Sequence, residues 1–452
     1  MRRLRELADR TSPSRERYVD LLRALAIAAV VLGHWLVTVI QYTSNRRLTG
    51  HSALEYLPWA FPLTWLVQVM PVFFLVGGYA NAASLTSHRR RGGDDIGWLQ
   101  ERSERLVRPT TVLFVVLALA ALLARLLGAD PGELRLAVWV ASIPLWFLAA
   151  YLVVVLLAPV MWRLHERFGL AVPLVLVGLV AVGDVARLNG AAALGSGNFL
   201  FGWLAMHQLG FAWRDGRLPM GPRVGVPVLV GGLAALLLLT VAGPYPVNMI
   251  DIPSERIRNA SPPTLALLAA ATTQLGLVML LHERAERWLH RTWPWRTVVA
   301  VNSVILTIFL WHLTAVVVLA GVLSALHLLP TPAAGTAQWW LWRVPWLIML
   351  MLVLAVLVAI FSRFETHRTH RPQARPRWMP GWLHQWLIRP TPRGVLTVAG
   401  YVAVVSGLLF NNAAARTEPG IFGMPTTALV LFLLGAATLR LMRSVPVNPG
   451  AG

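Results

Sequence analysis

Three ionisable side chains, Asp20, Arg23 and His34, interrupt the first long apolar run of the chain, RYVDLLRALAIAAVVLGHWL, and the spacing of the last two suits a particular chemistry. Arg23 and His34 are eleven residues apart. At about 100° per residue, eleven steps come to about 1,100°, only about 20° from three full turns, so on a helix the two side chains share one face. Along the axis they stand about 16 Å apart at 1.5 Å per residue. Ionisable groups within an apolar run are costly and usually mark function. A guanidinium holds phosphates through paired hydrogen bonds, and an imidazole takes a proton near neutral pH. A molecule with phosphates at one end and a reactive carbonyl on a long arm would touch both, and an acyl-coenzyme A has that shape. The plainer alternative is that Arg23 reaches a lipid phosphate and His34 is a packed, hydrogen-bonded core residue. Asp20, three residues before Arg23, can pair with it, although capping the start of the helix suits it better.

The elements that must position these residues are membrane helices. Of the 452 residues, 56% are hydrophobic and 13% charged, against about 25% charged in soluble domains. Apolar runs of about 20 residues recur, each long enough to cross about 30 Å of hydrocarbon. The reading is an all-α integral membrane protein with about 12 spans, near 19–40, 59–84, 109–127, 136–161, 169–186, 194–213, 224–243, 264–281, 298–326, 339–361, 395–410 and 425–439. The N-terminal run is too long for a signal-peptide core and lacks a cleavage site, so it reads as a retained first helix. With no cysteine, disulfides, thiolate metal sites and a Cys nucleophile are excluded.

All forty basic residues are arginine, and the net charge is +20. Their placement argues against nucleic acid as a partner. Thirty fall in the N-terminal tail, the even-numbered connections and the C-terminal tail, nine fall on the other side, and Arg23 lies within the first span. This asymmetry puts both termini in the cytoplasm, with Arg23 near the cytoplasmic surface and His34 deep in the membrane. The inner arginines also suit anionic lipid heads. The organisation read from the chain is a basic cytoplasmic tail (1–18), a ten-helix membrane domain (19–361), a cytoplasmic Arg/Pro/Trp-rich linker (362–393), a two-helix membrane extension (394–441) and a cytoplasmic tail (442–452). A 12-helix secondary transporter is the competing reading. It would place its long loop between spans six and seven and leave matching halves, and neither feature is visible.

The stretch from Arg17 to Ala26, running on to His34, resembles the first helix of the acyltransferase 3 family of membrane O-acyltransferases, whose arginine, ten residues, histidine pattern Arg23 and His34 meet. Four further pieces agree in order. MPVFFLVGGYANAASL at 70–85 is similar to the family's "FF-x-[IV]-[SG]-G-[YF]" stretch through Phe73, Phe74, Gly77, Gly78 and Tyr79. RSERLVRP at 102–109, read as a cytoplasmic loop, carries Arg102 and Arg105; LWFLAAYL at 145–152 resembles "LWFL"; and NSVILTIFLWH at 302–312 resembles the late "S-x-x-[IF]-[YF]-L-x-H" segment through Ser303 and His312. The resemblance covers residues 17–361. It departs at Gly77, where the family has a serine, in the extra C-terminal helix pair, and in lacking an esterase-like domain, which weakens any assignment of a polysaccharide acceptor.

The resemblance implies an enzyme that takes an acyl group, commonly acetyl, from cytoplasmic acyl-CoA and delivers it to a hydroxyl on a glycan, glycolipid or metabolite. His34 would be the catalytic base or a transient acyl carrier. Arg23, Arg102 and Arg105 would bind the donor, with plain positive-inside charge as the alternative for the latter two. Tyr79, Ser303 and His312 are weaker site candidates. Acyl-CoA enters as a donor substrate, with no permanently bound cofactor or metal. The expected location is a plasma membrane, multi-pass, that of a bacterial cytoplasmic membrane. Asp184, Asn198, His207, Gln208, Gln274 and Asn302 read as interhelical hydrogen bonders, worth about 0.6 kcal/mol each. Trp59, Trp98, Trp162, Trp339 and Trp340 read as interface anchors.

Overall fold

A computed structural model of the protein describes residues 15–42, 48–252, 255, 257–366, 379–414 and 420–445. Most of the basic N-terminal tail, Arg46, Arg47, Arg256, Arg416, the middle of the 362–393 linker and most of the C-terminal tail lie outside the described residues. The chain is helical almost throughout, as its apolar runs require. The main helices are α1 (Arg17–Val37), α2 (Met70–Arg90), α3 (Asp95–Leu126), α4 (Pro131–Ser142), α5 (Leu145–Phe168), α6 (Ala171–Leu188), α7 (Asn198–Arg214), α8 (Pro222–Leu237), α9 (Leu265–Leu289), α10 (Thr292–Ser303), α11 (Ile305–Ala325), α12 (Ala337–Phe361), α13 (Gly381–Ile388), α14 (Pro390–Ala413) and α15 (Thr426–Ser444). Thr38–Tyr42 and Leu48–Ser52 pair as a two-stranded sheet, an element absent from the sequence reading.

Side chains at the helix starts satisfy the free N–H groups there. Asp94 accepts from Gly97 N at 2.9 Å, and Asp130 from Gly132 and Glu133 N ahead of Pro131. Thr264 and Thr336 do the same for α9 and α12.

Among the described residues, eleven helices are long and apolar enough to cross a membrane. The chain is thus a multi-pass membrane protein. The sixth expected span falls on α7, which at 17 residues is not among those eleven. Several boundaries need correction. The second span opens with the 3-10 turns of Pro58–Leu63 and the short helix Thr64–Val67 before α2 begins. The fourth divides into α4 and α5 at Ile143–Pro144, and the ninth into α10 and α11 at Val304. A backbone φ of −132° and ψ of 18° at Val304 break the helix, though the apolar sequence runs on without a gap. The arginine-bearing stretch 102–109 is helix, not loop, because α3 starts at its Asp94 cap and runs 32 residues.

The tryptophans divide as well. Trp59 and Trp340 are exposed, as interface anchors should be, whereas Trp98, Trp162 and Trp339 are buried. Polar partners explain their burial: the Arg102 guanidinium lies over Trp98, Arg343 lies over Trp339, and Trp162 Nε1 donates to Glu166 at 2.7 Å.

Contacts divide the chain into two compact units: Met1–Val39, His51–Ser84 and Val160–Ile305 form the first, and Ile40–Gly50, Leu85–Pro159 and Leu306–Gly452 the second. In the first, α8 packs along α9, and α6 along α7. The first part of α2 crosses α7 so closely that a Cβ on Gly78 would lie 2.0 Å from the His207 carbonyl oxygen, and one on Gly210 would lie 2.0 Å from that of Leu75. Such small-residue crossings let membrane helices approach. Phe74 stacks on Trp203 at 4.7 Å on one side of the crossing, and Asn81 Nδ2 meets His207 Nε2 at 3.0 Å on the other. In the second unit, α14 and α15 pack along each other, and both touch α3.

Candidate functional site

The start of α1 is fixed by polar contacts to α9 within the first unit. Tyr18 N donates to Glu286 Oε1 at 2.7 Å, Arg17 donates to the Leu289 carbonyl at 2.8 Å, and Tyr18 OH donates to that of Val278 at 3.1 Å. Glu16, the N-cap residue, makes no side-chain cap and instead meets His282 Nε2 at 2.8 Å. Burial would raise Glu16, but its hydrogen bonds with His282 and Glu286 outweigh it and hold the carboxyl below its ordinary value. Glu286 and His282 left no mark in the sequence reading, because a polar residue near the end of an apolar run reads as ordinary interfacial charge.

Asp20 does not cap the helix, contrary to the sequence reading. It is buried one turn inside α1, where its carboxylate receives Arg15 Nε at 2.7 Å and Arg23 Nη1 at 3.5 Å. The Asp20 hydrogen bond raises the Arg15 guanidinium further, against the effect of burial. Two guanidiniums thus share one carboxylate. The Arg23 side chain is about one-third exposed, at 30%. The Asp20 carbonyl accepts from Asn302 Nδ2 at 2.9 Å, which ties the end of α10 to α1 beside Arg23. Ser303, next to Asn302, turns its hydroxyl to the Ala300 carbonyl at 2.7 Å within its own helix.

Because α1 runs unbroken from Arg17 to Val37, the three-turn alignment of Arg23 with His34 holds. The helix ends at Val37, short of the residue 40 that the sequence suggested, so His34 lies in its last turn. Thr38 ends it, donating both N–H and Oγ1 to the His34 carbonyl, the latter at 2.6 Å. His34 is half-buried between buried Trp35 and Gly33, where an added Cβ would meet nothing within 4 Å. Tyr79, also in the first unit, packs on Trp213 at 5.1 Å and lies under the Arg214 guanidinium. Trp213 also packs against Tyr18 at 6.2 Å.

The remaining candidates belong to the second unit. Arg102 and Arg105 lie on the first half of α3, Arg102 half-buried and Arg105 exposed. His312 is fully buried in α11, and its Nδ1 stands 2.6 Å from the Phe309 carbonyl. A carbonyl only accepts, so Nδ1 carries the proton. Phe309 in turn meets Phe147 edge-on at 5.5 Å, which joins the "LWFL" stretch to the histidine-bearing helix.

The other polar residues hold helices together. Asn198 donates to Asp184 at 3.0 Å, Gln208 to the Met161 carbonyl at 3.0 Å, and Gln274 to those of Trp65 and Gln68.

Neither a curated protein nor a solved structure matches the chain. The family model described as an acyltransferase domain matches residues 16–363, from the N-cap of α1 to the end of α12 and through all five motif stretches. That match spans most of the 452 residues, and the chain therefore belongs to the acyltransferase 3 family.

Proposed function

We propose that the protein is a membrane O-acyltransferase that moves an acyl group, acetyl in the simplest case, from cytoplasmic acyl-CoA to a hydroxyl of a sugar-containing, lipid or secondary-metabolite acceptor. Its place would be a bacterial cytoplasmic membrane, with both termini inside. The observation that carries the reading is the alignment, on one unbroken helix, of a carboxylate-held Arg23 with a half-buried His34 in the last turn. Arg23 takes donor phosphate through its planar fork, and Arg102 and Arg105 supply further positive charge for the anionic donor. The arm that joins phosphate to thioester then has about 16 Å to cover along the helix, eleven residues at 1.5 Å each.

At His34 the acceptor oxygen attacks the thioester carbonyl while the imidazole takes the hydroxyl proton. The carbon–sulfur bond breaks, and the leaving sulfur receives a proton to become the free thiol. In the carrier variant, a ring nitrogen first displaces the thiol and holds the acyl group, and the hydroxyl then displaces the imidazole. Family membership and the Arg23–His34 pair favour transfer over transport.

The donor half of the reading is tested by coenzyme A binding to the purified full chain. Arg23→Ala should weaken binding about tenfold or more, and Arg23→Lys should recover only part of it, because a lysine lacks the bidentate fork. Equal affinity in wild type and Arg23→Ala would remove Arg23 from the donor site.

A further inference from the structure

The matched family domain ends at residue 363, yet α14 and α15, beyond it, grip the helix that carries Arg102 and Arg105. The grip is apolar midway along α3, where Phe114 stacks on Phe432 of α15 at 4.4 Å, and polar in its first three turns. Arg393 of α14 forms a two-pronged ion pair with Asp94, at 2.5 and 3.1 Å. Gln100, itself buried, donates to Thr397 Oγ1 at 3.1 Å and accepts from Arg393 at 3.5 Å. Tyr401 OH donates to the Leu99 carbonyl at 2.8 Å, and Arg443 of α15 pairs with Glu104 at 2.7 Å. Arg393, Thr397 and Tyr401 recur every four residues, a single stripe along α14.

These contacts fix the rotation of α3 about its own axis. At about 100° per residue, Arg102 and Arg105 point about 150° away from Gln100 and Glu104, so a rotation of α3 that breaks those contacts also swings both arginines. A guanidinium at the rim of a helix, about 5–6 Å from its axis, would move roughly 3 Å on a 30° rotation. That displacement breaks a bidentate contact to phosphate, whose hydrogen bonds tolerate only a few tenths of an ångström.

We propose that the C-terminal helix pair sets the orientation of Arg102 and Arg105 toward an anionic donor, with Arg393 as the main positioning residue through Asp94 and Gln100. The inference rests on the donor reading above and adds to it a role for α14 and α15. Arg393 itself, spent on Asp94 and Gln100, acts through the two arginines and not on the donor.

The test is a double-mutant cycle read by coenzyme A affinity on the full-length protein, with thermal stability measured for each variant. Arg393→Gln should weaken binding about tenfold, a coupling within the usual range for a network. The same substitution in an Arg102→Ala/Arg105→Ala background should cause no further loss. Arg393→Lys should restore part of the affinity, and Arg443→Gln or Tyr401→Phe serves in its place should Arg393→Gln fail to fold. An equal loss in both backgrounds, or none in either, overturns the positioning role while leaving Arg23 and His34 untouched. Unchanged affinity in Arg102→Ala/Arg105→Ala overturns it too. A wild-type protein that binds no coenzyme A overturns the donor reading itself, and this inference with it.

Discussion

Gly78→Ala should destabilise the protein far more than its single added methyl suggests. The new Cβ would stand 2.0 Å from the His207 carbonyl oxygen, where real Cβ contacts stop short of 3.0 Å. That oxygen belongs to helix backbone, so no side-chain adjustment relieves the clash, and α2 and α7 must separate by at least 1 Å at the crossing. Overpacking of this kind costs about 1–3 kcal/mol. The same separation would stretch the 3.0 Å Asn81–His207 contact beyond hydrogen-bonding range, adding about 0.6 kcal/mol for a bond inside a membrane protein. The total is about 2–4 kcal/mol, or a fall on the order of 2–4 °C in the thermal midpoint of a chain of 452 residues. Gly33→Ala is the matched control. Its Cβ meets nothing within 4 Å, so helix propensity alone applies, and stability should hold or rise by about 0.5–1 kcal/mol. The assay is thermal unfolding of the two purified variants beside the wild type in one detergent. Equal midpoints for Gly78→Ala and Gly33→Ala would refute the close crossing and the reason given for the motif glycine.

Two further outcomes are expected. Reporter fusions should place both termini in the cytoplasm; at 17 residues α7 is only about 26 Å long, and an external C-terminus would show that it does not cross. Asp94→Asn should lower stability at pH 7 by about 0.5–1 kcal/mol, a figure kept small because the side chain is half exposed. Burial pushes Asp94 up, but the hydrogen bond and charge of Arg393 outweigh it and hold the folded value below the unfolded one. The carboxylate's contribution is therefore present above the unfolded value of about 3.9 and is lost as the pH falls through the folded one. Midpoints of wild type and variant that differ at neutral pH should converge in acid, and a gap that persists unchanged at pH 3 would contradict the ion pair.

What the sequence made legible followed from periodicity and charge. The apolar runs located most of the helices, and the eleven-residue spacing of Arg23 and His34 needed only an unbroken helix to place them on one face. Breaks inside apolar stretches are hard to read: nothing in composition marks Val304 as the end of a helix, and Pro144, whose missing N–H ends the helix at the Ile143–Pro144 step, is masked by the hydrophobic run that continues past it. Hydropathy also hid the first turns of α3, where polar residues between Asp94 and Arg108 read as a loop although the Asp94 cap begins the helix there. The early end of α1 rests on Thr38 bonding back to the His34 carbonyl, a local contact with no compositional trace. Partners distant in sequence, such as Asn302 with Asp20, Gly78 with Gly210, and Arg393 with Asp94, emerge only once the helices are packed.

Whether His34 takes the acceptor proton or carries the acyl group is read from transfer of labelled acetyl from acetyl-CoA to acceptors in membranes holding each variant. His34→Ala and His34→Gln should both insert and bind coenzyme A, yet transfer at about 10²–10⁴-fold below the wild-type rate, since an amide cannot accept the proton. A packed, merely structural histidine would give the opposite pattern, with His34→Gln keeping its hydrogen bonding and near-normal transfer while His34→Ala lost stability. Near-normal turnover in His34→Gln would remove His34 from the chemistry.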